Sequence, residues 1–221
     1  MRRQLAFDLP ATEALTRADF FVSRANTLAL QAVDSWHIWP GAKLVLVGPE
    51  GAGKTHLTHI WAKASGAVVL QARALASVDI AALAGKTVAV EDAHQIGGAE
   101  DALFHLHNIV TAGGALLMTA IAPPRDWGLS LADLLSRVQA AQVARLEAPD
   151  DALLSAVLVK LFADRQVTVA PNLIPYLVSR MPRSVGAARA LVVALDSQAL
   201  ALGRPVTRAL AGDVLDSLGN G

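Results

Sequence analysis

Residues 48–55 read Gly48-Pro49-Glu50-Gly51-Ala52-Gly53-Lys54-Thr55, and this stretch decides the fold. It matches the pattern G-x-x-x-x-G-K-T, follows the apolar run 43–47 and leads into a helical pattern that starts at His56. A buried strand, a glycine loop and a helix start in that order are the context of a phosphate-binding loop, or P-loop. The glycines let backbone N–H groups turn towards phosphate oxygens, and the positive end of the helix faces the same anion. The complete pattern in this context disfavours the alternative, an ordinary glycine-rich turn.

The P-loop predicts a site for the phosphates of a nucleotide. Lys54 can reach the terminal phosphates, and the hydroxyl of Thr55 can hold Mg²⁺. The other loop residues, together with His56, are expected to line the same ligand.

A second motif lies at the end of the third predicted strand. Residues 87–92 are apolar until they end in Glu91 and Asp92, which is a Walker B pattern. A carboxylate at the carboxyl end of such a strand can bind Mg²⁺ or orient an attacking water. The alternative is a helix cap or a surface acid pair. Thr119, at the end of the next strand, is expected at the same edge of the sheet.

The composition restricts the class of protein. The 221 residues carry 19 basic and 19 acidic side chains, so the formal net charge is zero, and no cysteine is present. This balance argues against tight direct DNA binding, which usually needs a basic excess. Without cysteine there is no disulfide or thiolate chemistry, which fits a cytoplasmic protein. No apolar stretch has the unbroken length of a membrane helix, so no membrane contact is expected.

Alternating strand and helix patterns between residues 43 and 146 predict an α/β fold with a parallel sheet and right-handed crossovers. The predicted strands are 43–47, 67–71, 87–92, 114–120 and 141–146. A helix is expected over residues 74–84. Only helices are predicted after residue 150, at 151–165, 172–180, 185–202 and from Thr207 to near residue 219. The predicted organisation is a tail (1–15), a nucleotide-binding base (16–148) and a helical lid (149–221).

Two short apolar segments allow two interpretations each. In the tail, Leu5, Phe7 and Leu9 alternate after Gln4, so an extended tail could insert them into a partner's groove while Gln4 bonds at its edge. The alternative is a tail that packs on its own core. The segment Phe20-Phe21-Val22 precedes the P-loop strand, and it either covers the base of the nucleotide or belongs to the core.

Several motifs together resemble the AAA+ core of the bacterial replication initiator DnaA, and most closely the Hda-type regulators. The resemblance runs from about residue 19 to the C-terminus, with the tail as a separate match. It is carried by residues 53–57 (GKTHL), 134–137 (LLSR) and 181–185 (MPRSV). The tail from Gln4 to Leu9 is similar to the sliding-clamp-binding hexapeptide of the Hda-type proteins.

The resemblance implies a role for each matching residue. Lys54 and Thr55 would be the Walker A pair of an ADP or ATP site, Thr119 would be sensor 1, and Arg183 would be the sensor 2 arginine of the lid. Arg137 matches the arginine finger, which in this family acts on the ATP of a neighbouring subunit. Glu91 departs from the family, whose members usually have two aspartates here, and this puts efficient self-hydrolysis in doubt.

The function implied is negative regulation of replication initiation. The chain would dock on the DNA-loaded sliding clamp, the polymerase beta subunit, and stimulate ATP hydrolysis by DnaA. The basic domain that reads DNA in initiators has no counterpart before Gly221, so DNA contact is expected only through the clamp. Nucleotide-dependent self-association stays open. The alternatives are a self-contained ATPase of the helicase-loader type, a small-molecule kinase and a non-hydrolysing scaffold.

Overall fold

A computed structural model describes residues 15–110 and 112–219 of the chain. The predicted clamp-binding residues Gln4, Leu5, Phe7 and Leu9 lie outside the described residues.

Five parallel strands form one sheet, as the alternation of strand and helix patterns predicts. They are β1 (Lys43–Val47), β2 (Val68–Gln71), β3 (Val88–Glu91), β4 (Leu116–Ala120) and β5 (Gln142–Arg145). Their spatial order is β2-β3-β4-β1-β5. Strand β1 lies between β4 and β5 and all five of its residues are buried, which explains the apolar run over residues 44–47.

Four helices of the base cover the two faces of the sheet. They are α1 (Thr27–Asp34), α2 (Lys54–Ser65), α3 (Glu100–Val110) and α4 (Ala132–Gln139). Successive residues of a strand point to opposite faces. Val45 and Val47 therefore pack with α3 and α4, whereas Leu44 and Leu46 pack with α1 and α2.

The helix predicted over residues 74–84 is wrong. The chain forms two 3₁₀ segments there, Ala72–Ser77 and Ala81–Leu83, with Val78 extended between them. The hydroxyl of Ser77 donates to the carbonyl of Ala74 (2.8 Å), and the carboxylate of Asp79 accepts the Ala82 N–H (3.4 Å). Such short-range bonds compete with helical bonds, and the β-branched Val78 adds to the effect.

The C-terminal part consists of α5 (Asp151–Asp164), α6 (Leu173–Val178), α7 (Val185–Leu202) and α8 (Arg208–Gly219). These helices share a core of their own, with Phe162, Leu177 and Leu191 among its buried members. Asp150 and Ser184 cap the starts of α5 and α7 by accepting backbone N–H bonds. Helices α5 to α8 form the helical lid that the sequence predicts.

Helix α7 is, within the part of the chain that the structure describes, the one helix long and apolar enough to cross a membrane by length and composition. Core helices of folded domains pass the same test. One side of α7, with Leu191 and Leu195, packs into the lid core.

Candidate functional site

The P-loop depends on glycine at three positions. Gly51 and Gly53 have φ values of +70° and +101°, a region that side chains with a Cβ atom disfavour. Gly48 has no room for a side chain, because a Cβ atom there would lie 2.7 Å from the carbonyl oxygen of Leu146. The loop can therefore turn tightly between β1 and α2.

Lys54 begins α2 and is only 8% exposed. Its ammonium group donates to the carbonyl oxygens of Gly48 (2.8 Å) and Pro49 (2.9 Å), so it lies over the loop that it follows. Burial lowers the pKa of Lys54, while the negative charges of Asp92, Glu50 and Glu91 oppose this shift. At this edge of the sheet the carboxylates can attract a further cation, and the ammonium group of Lys54 can attract phosphate.

Asp92 and Thr119 meet at the carboxyl ends of β3 and β4. The strand ends at Glu91, and Asp92 leaves it with φ +53° in the left-handed region, where aspartate is tolerated better than most residues. Its backbone N–H donates to the hydroxyl oxygen of Thr119 at 3.0 Å. Thr119 is buried, so this bond fixes the position of Asp92 relative to the neighbouring strand.

Glu91 is 5% exposed and has one satisfied oxygen. Its Oε2 accepts a bond from the side-chain amide of Gln71 (2.9 Å), whereas Oε1 is buried and, among the described residues, has no hydrogen-bond partner. A buried carboxylate oxygen without a partner is costly unless a cation or a donor meets it. Carboxylate and hydroxyl oxygens fit Mg²⁺, and Thr55, exposed in the first turn of α2, would supply a hydroxyl.

Metal chemistry here needs few protein ligands. Residues 15–110 and 112–219 contain no group of three or more His, Cys, Asp or Glu side chains that could hold a metal ion by themselves. At P-loops Mg²⁺ is held by one or two protein oxygens, substrate phosphates and water. The binding of Mg²⁺ by Thr55 and Glu91 therefore stays a prediction. The side-chain oxygen atoms of both residues are of the kind that Mg²⁺ binds.

His94 belongs to the same edge and was not predicted from the sequence. Its Nδ1 atom is buried and has no hydrogen-bond partner among the residues that the structure describes. Burial lowers the pKa of His94, and the charges of Asp92 and Lys54 act on it in opposite directions. The only sequence signal for His94 was its position two residues after Asp92. Such short spacing does not show that the histidine side chain faces the same site as Asp92.

The segment before α1 covers the start of α2. The ring of Phe20 packs edge-on against His56 at 5.2 Å, and His56 Nε2 lies 2.8 Å from the carbonyl oxygen of Thr16. Phe20 thus borders the P-loop helix directly. Phe21 is half-buried, and Val22 is 56% exposed. The roles of Phe21 and Val22 in nucleotide binding stay predictions.

The lid touches the tip of the P-loop. The backbone N–H of Val185, the first residue of α7, donates to the carbonyl oxygen of Gly51 at 3.0 Å. A Cβ atom on Gly51 would overlap the hydroxyl of Ser184, which also caps α7. Lys160 of α5 adds an ion pair with Asp19 of the base at 3.1 Å. The lid therefore contacts the base at the loop that would hold the phosphates.

Arg183 lies at the junction of base and lid. Its guanidinium donates to the carbonyl oxygen of Pro149 (3.1 Å) and to the carboxylate of Asp151 (2.6 Å). It lines a cavity of about 660 Å³ together with Arg24. No residue of the range 48–55 lines this cavity, and these hydrogen-bond partners of Arg183 lie at the junction and not in the P-loop.

Arg137 lies at the opposite edge of the sheet. Its carbonyl oxygen accepts a bond from the ammonium group of Lys43 (2.9 Å), the first residue of β1. The P-loop follows the last residue of β1, and five strand residues span about 16 Å. The Arg137 side chain is exposed, its guanidinium carbon is 4.9 Å from the centre of the Phe104 ring, and it joins no ion pair between described residues.

The predicted residues thus fall into three places. The P-loop, Glu91, Asp92 and Thr119 meet at the carboxyl edge of the sheet. Arg183 lies at the junction with the lid, and Arg137 lies at the amino edge, about one strand length from the P-loop of the same chain.

Comparison with solved structures identifies the fold. Domain III of the replication initiation protein DnaA from Thermotoga maritima is 18% identical, with a TM-score of 0.80, and the alignment covers 95% of this chain and 98% of that one. Replication initiator DnaA bound to AMPPCP and single-stranded DNA is 16% identical, with a TM-score of 0.68 over 83% of this chain and 65% of that one.

The Thermotoga maritima RuvB Holliday junction branch migration motor is also similar, at 15% identity and a TM-score of 0.63, over 80% of this chain and 62% of that one. No protein-family model matches the sequence. At identities this low the likeness establishes the fold alone, which is a parallel α/β base with a helical lid, similar to domain III of DnaA.

Proposed function

We propose that the chain is an adaptor that binds ADP or ATP at residues 48–55 and activates ATP hydrolysis on a partner, the initiator DnaA. The likeness of the fold to DnaA domain III supports a nucleotide site at this loop. Two of the solved relatives, both DnaA proteins, hold AMPPCP. In this proposal the chain is a negative regulator of replication initiation in the cytoplasm.

The position of Arg137 carries the proposal. Arg137 is exposed, joins no ion pair among the described residues and is fixed through its backbone about one strand length from the P-loop. These features support a role on a neighbour's nucleotide. A guanidinium stabilises the charge that spreads over a phosphoryl group during transfer, and such a group is worth about 10³–10⁵ in rate. Arg137 would supply this charge to ATP bound on DnaA.

The chain's own nucleotide would act as a switch. Lys54 would hold its phosphates, Thr55 and Glu91 would hold Mg²⁺, and the contact between Gly51 and Val185 would transmit the state of the loop to α7. The Mg²⁺ ion, when bound, neutralises phosphate charge. Arg183 would change partners between Asp151 and the nucleotide as the lid moves.

Docking on the sliding clamp would bring the chain to DNA. Gln4, Leu5, Phe7 and Leu9 would insert into the clamp, so that DNA contact is indirect, as a net charge of zero favours.

The test is release of phosphate from ATP bound to DnaA, measured with the chain and with sliding clamp loaded on DNA. We expect stimulation that needs the clamp and is lost in Gln4→Ala, because this variant cannot dock. A chain that fails to stimulate, with DnaA and clamp both active, would overturn the proposal.

Phosphate release by the chain alone, without DnaA, tests a second candidate function. The buried oxygen of Glu91 and the fixed Asp92 would also suit a self-contained ATPase of the helicase-loader type. Rapid turnover without DnaA, insensitive to Gln4→Ala, would favour that function instead.

A further inference from the structure

Two buried side chains, those of Lys43 and His107, form a pair next to Arg137. Lys43 of β1 is 8% exposed and His107 of α3 is 4% exposed, and their Nζ and Nε2 atoms are 2.8 Å apart. Burying an ammonium group is expensive unless acceptors meet its N–H bonds. Here two acceptors do so, His107 and the carbonyl oxygen of Arg137.

The second of these bonds fixes the end of α4. The last carbonyl groups of a helix lack partners within the helix, and a cation near them is favourable because it also meets the negative end of the helix dipole. Lys43 provides that cation to Arg137, two residues before α4 ends at Gln139. The backbone from which the Arg137 side chain extends is therefore fixed to the start of β1.

Helix α3 presents one face to α4. Glu100, Phe104 and His107 are spaced at i, i+4 and i+7, which places them on the same side of α3. The carboxylate of Glu100 accepts the N–H bonds of Ser130 (3.0 Å) and Leu131 (2.7 Å), where the chain enters α4. Thus α3 anchors the start of α4 and supports the Arg137 guanidinium through the ring of Phe104. It also contacts Lys43, the residue that fixes the end of α4.

The bond between Lys43 and His107 requires a neutral imidazole. Because the Lys43 ammonium donates, Nε2 of His107 must accept, and the ring proton must reside on Nδ1, near the side-chain oxygen of Asn108. Among the residues that the structure describes, the charged groups that act on the pKa of His107 are Lys43 and Arg137, both cations, whereas the hydrogen bond with Asn108 acts in the opposite direction. Burial and these charges lower the pKa of His107, so the ring is neutral near pH 7.

We propose that Lys43 and His107 are positioning residues, which hold the backbone of Arg137 in the geometry that lets its guanidinium act on a partner's ATP. The inference rests on the proposed function of Arg137. Protonation of His107 would replace the acceptor by a donor that faces an ammonium group, so the hold on Arg137 would weaken as the pH falls.

The test compares Lys43→Met, His107→Gln and Arg137→Ala in the DnaA phosphate-release assay, with the rate of DnaA alone subtracted at each pH. We expect Lys43→Met to lower the maximal stimulated rate about tenfold or more, because a small misplacement of a catalytic group has effects of that size. The concentration for half-maximal stimulation and the affinity for ADP should stay within about twofold of wild type.

His107→Gln is the conservative variant, because it keeps an acceptor that does not titrate. Wild-type stimulation should fall as the pH is lowered through the pKa of His107, which lies below 6.5, whereas that of His107→Gln should not. A matched control is His105→Gln, which alters an exposed histidine of the same helix.

The outcomes separate the inference from the function. Full activity of Lys43→Met beside an inactive Arg137→Ala, or the same loss at low pH in wild type and His107→Gln, would overturn the inference and leave the function intact. Normal stimulation by Arg137→Ala would overturn the proposed function itself. If Lys43→Met fails to fold, judged by ADP affinity and thermal unfolding, the pH profile of His107→Gln decides.

Discussion

The two edges of the sheet each bury one lysine, and the surroundings of the two lysines differ in sign. Lys54, at the carboxyl edge, donates to the P-loop carbonyls of Gly48 and Pro49 and is surrounded by the charges of three carboxylates. Lys43, at the amino edge, donates to the carbonyl of Arg137 and faces a histidine and a cation. Burial lowers the pKa of both lysines.

The difference explains what each edge can do. Carboxylates around Lys54 offset its charge and can attract a metal cation, so this edge suits a cation that is bound together with phosphate. No carboxylate acts on Lys43 in the same way among the described residues, so its charge is satisfied by fixed acceptors. The first lysine is placed to meet a ligand, and the second is placed to fix a backbone.

The largest effect is expected at the contact of the carboxyl edge with the lid. Gly51→Ala should lower the free energy of unfolding by about 2–5 kcal/mol, since it combines the left-handed backbone penalty with overlap against Ser184. Gly66→Ala is the matched control, because Gly66 has φ +71° and no atom within 4 Å of its Cβ position. It should lose only about 1–2 kcal/mol.

Chemical denaturation measures both variants, and hydrogen exchange of the Val185 amide reports the lid contact. Equal losses in the two variants, with the Val185 amide protected as in wild type, would show that the lid does not depend on the tip of the P-loop.

The next effect concerns Lys54 and nucleotide affinity. Lys54→Ala should weaken ADP binding by about 1.5–3 kcal/mol, or roughly ten- to a hundredfold, because it removes a charged hydrogen-bond donor to phosphate. Calorimetric titration measures this affinity. Lys63→Ala, an exposed lysine of the same helix, should bind like wild type, and equal affinities for all three proteins would remove Lys54 from the site.

The smallest effect is a pH dependence of stability at the amino edge. The pKa of His107 is lower in the folded than in the unfolded chain, so below about pH 6.5 the unfolded state binds a proton that the folded state does not. The free energy of unfolding should therefore decrease by up to about 1.4 kcal/mol per pH unit as the pH falls.

Denaturation of wild type, His107→Gln and His105→Gln between pH 5 and pH 8 measures this contribution. The decrease should be smaller in His107→Gln alone. An identical slope for all three proteins would mean that His107 is not held neutral in the folded state.

The sequence allowed much of the fold to be predicted, because strand and helix periods reflect local burial. The five strands and the helices of the lid follow from this pattern, with ends that shift by at most two residues. The error at residues 74–84 has a physical cause, since Ser77 and Asp79 bond to nearby backbone groups that a helix would use.

The site was predictable only where a motif has fixed spacing. Residues 48–55 and the acids after β3 could be located because their neighbours along the chain make the site. The pairing of Lys43 with His107, 64 residues apart, depends on how α3 packs against the sheet. Likewise, the contact of Gly51 with Val185 depends on how the lid folds back.

The most direct measurement is phosphate release from DnaA-bound ATP with clamp on DNA, comparing wild type with Arg137→Ala on preparations whose ADP affinity is measured first. Arg125→Ala, which removes another exposed arginine of the base, is the control. We expect Arg137→Ala to bind ADP like wild type and to lose stimulation by about a hundredfold or more, while Arg125→Ala keeps both. Normal stimulation by Arg137→Ala, or a tenfold loss of its ADP affinity, would contradict a separation of the two edges.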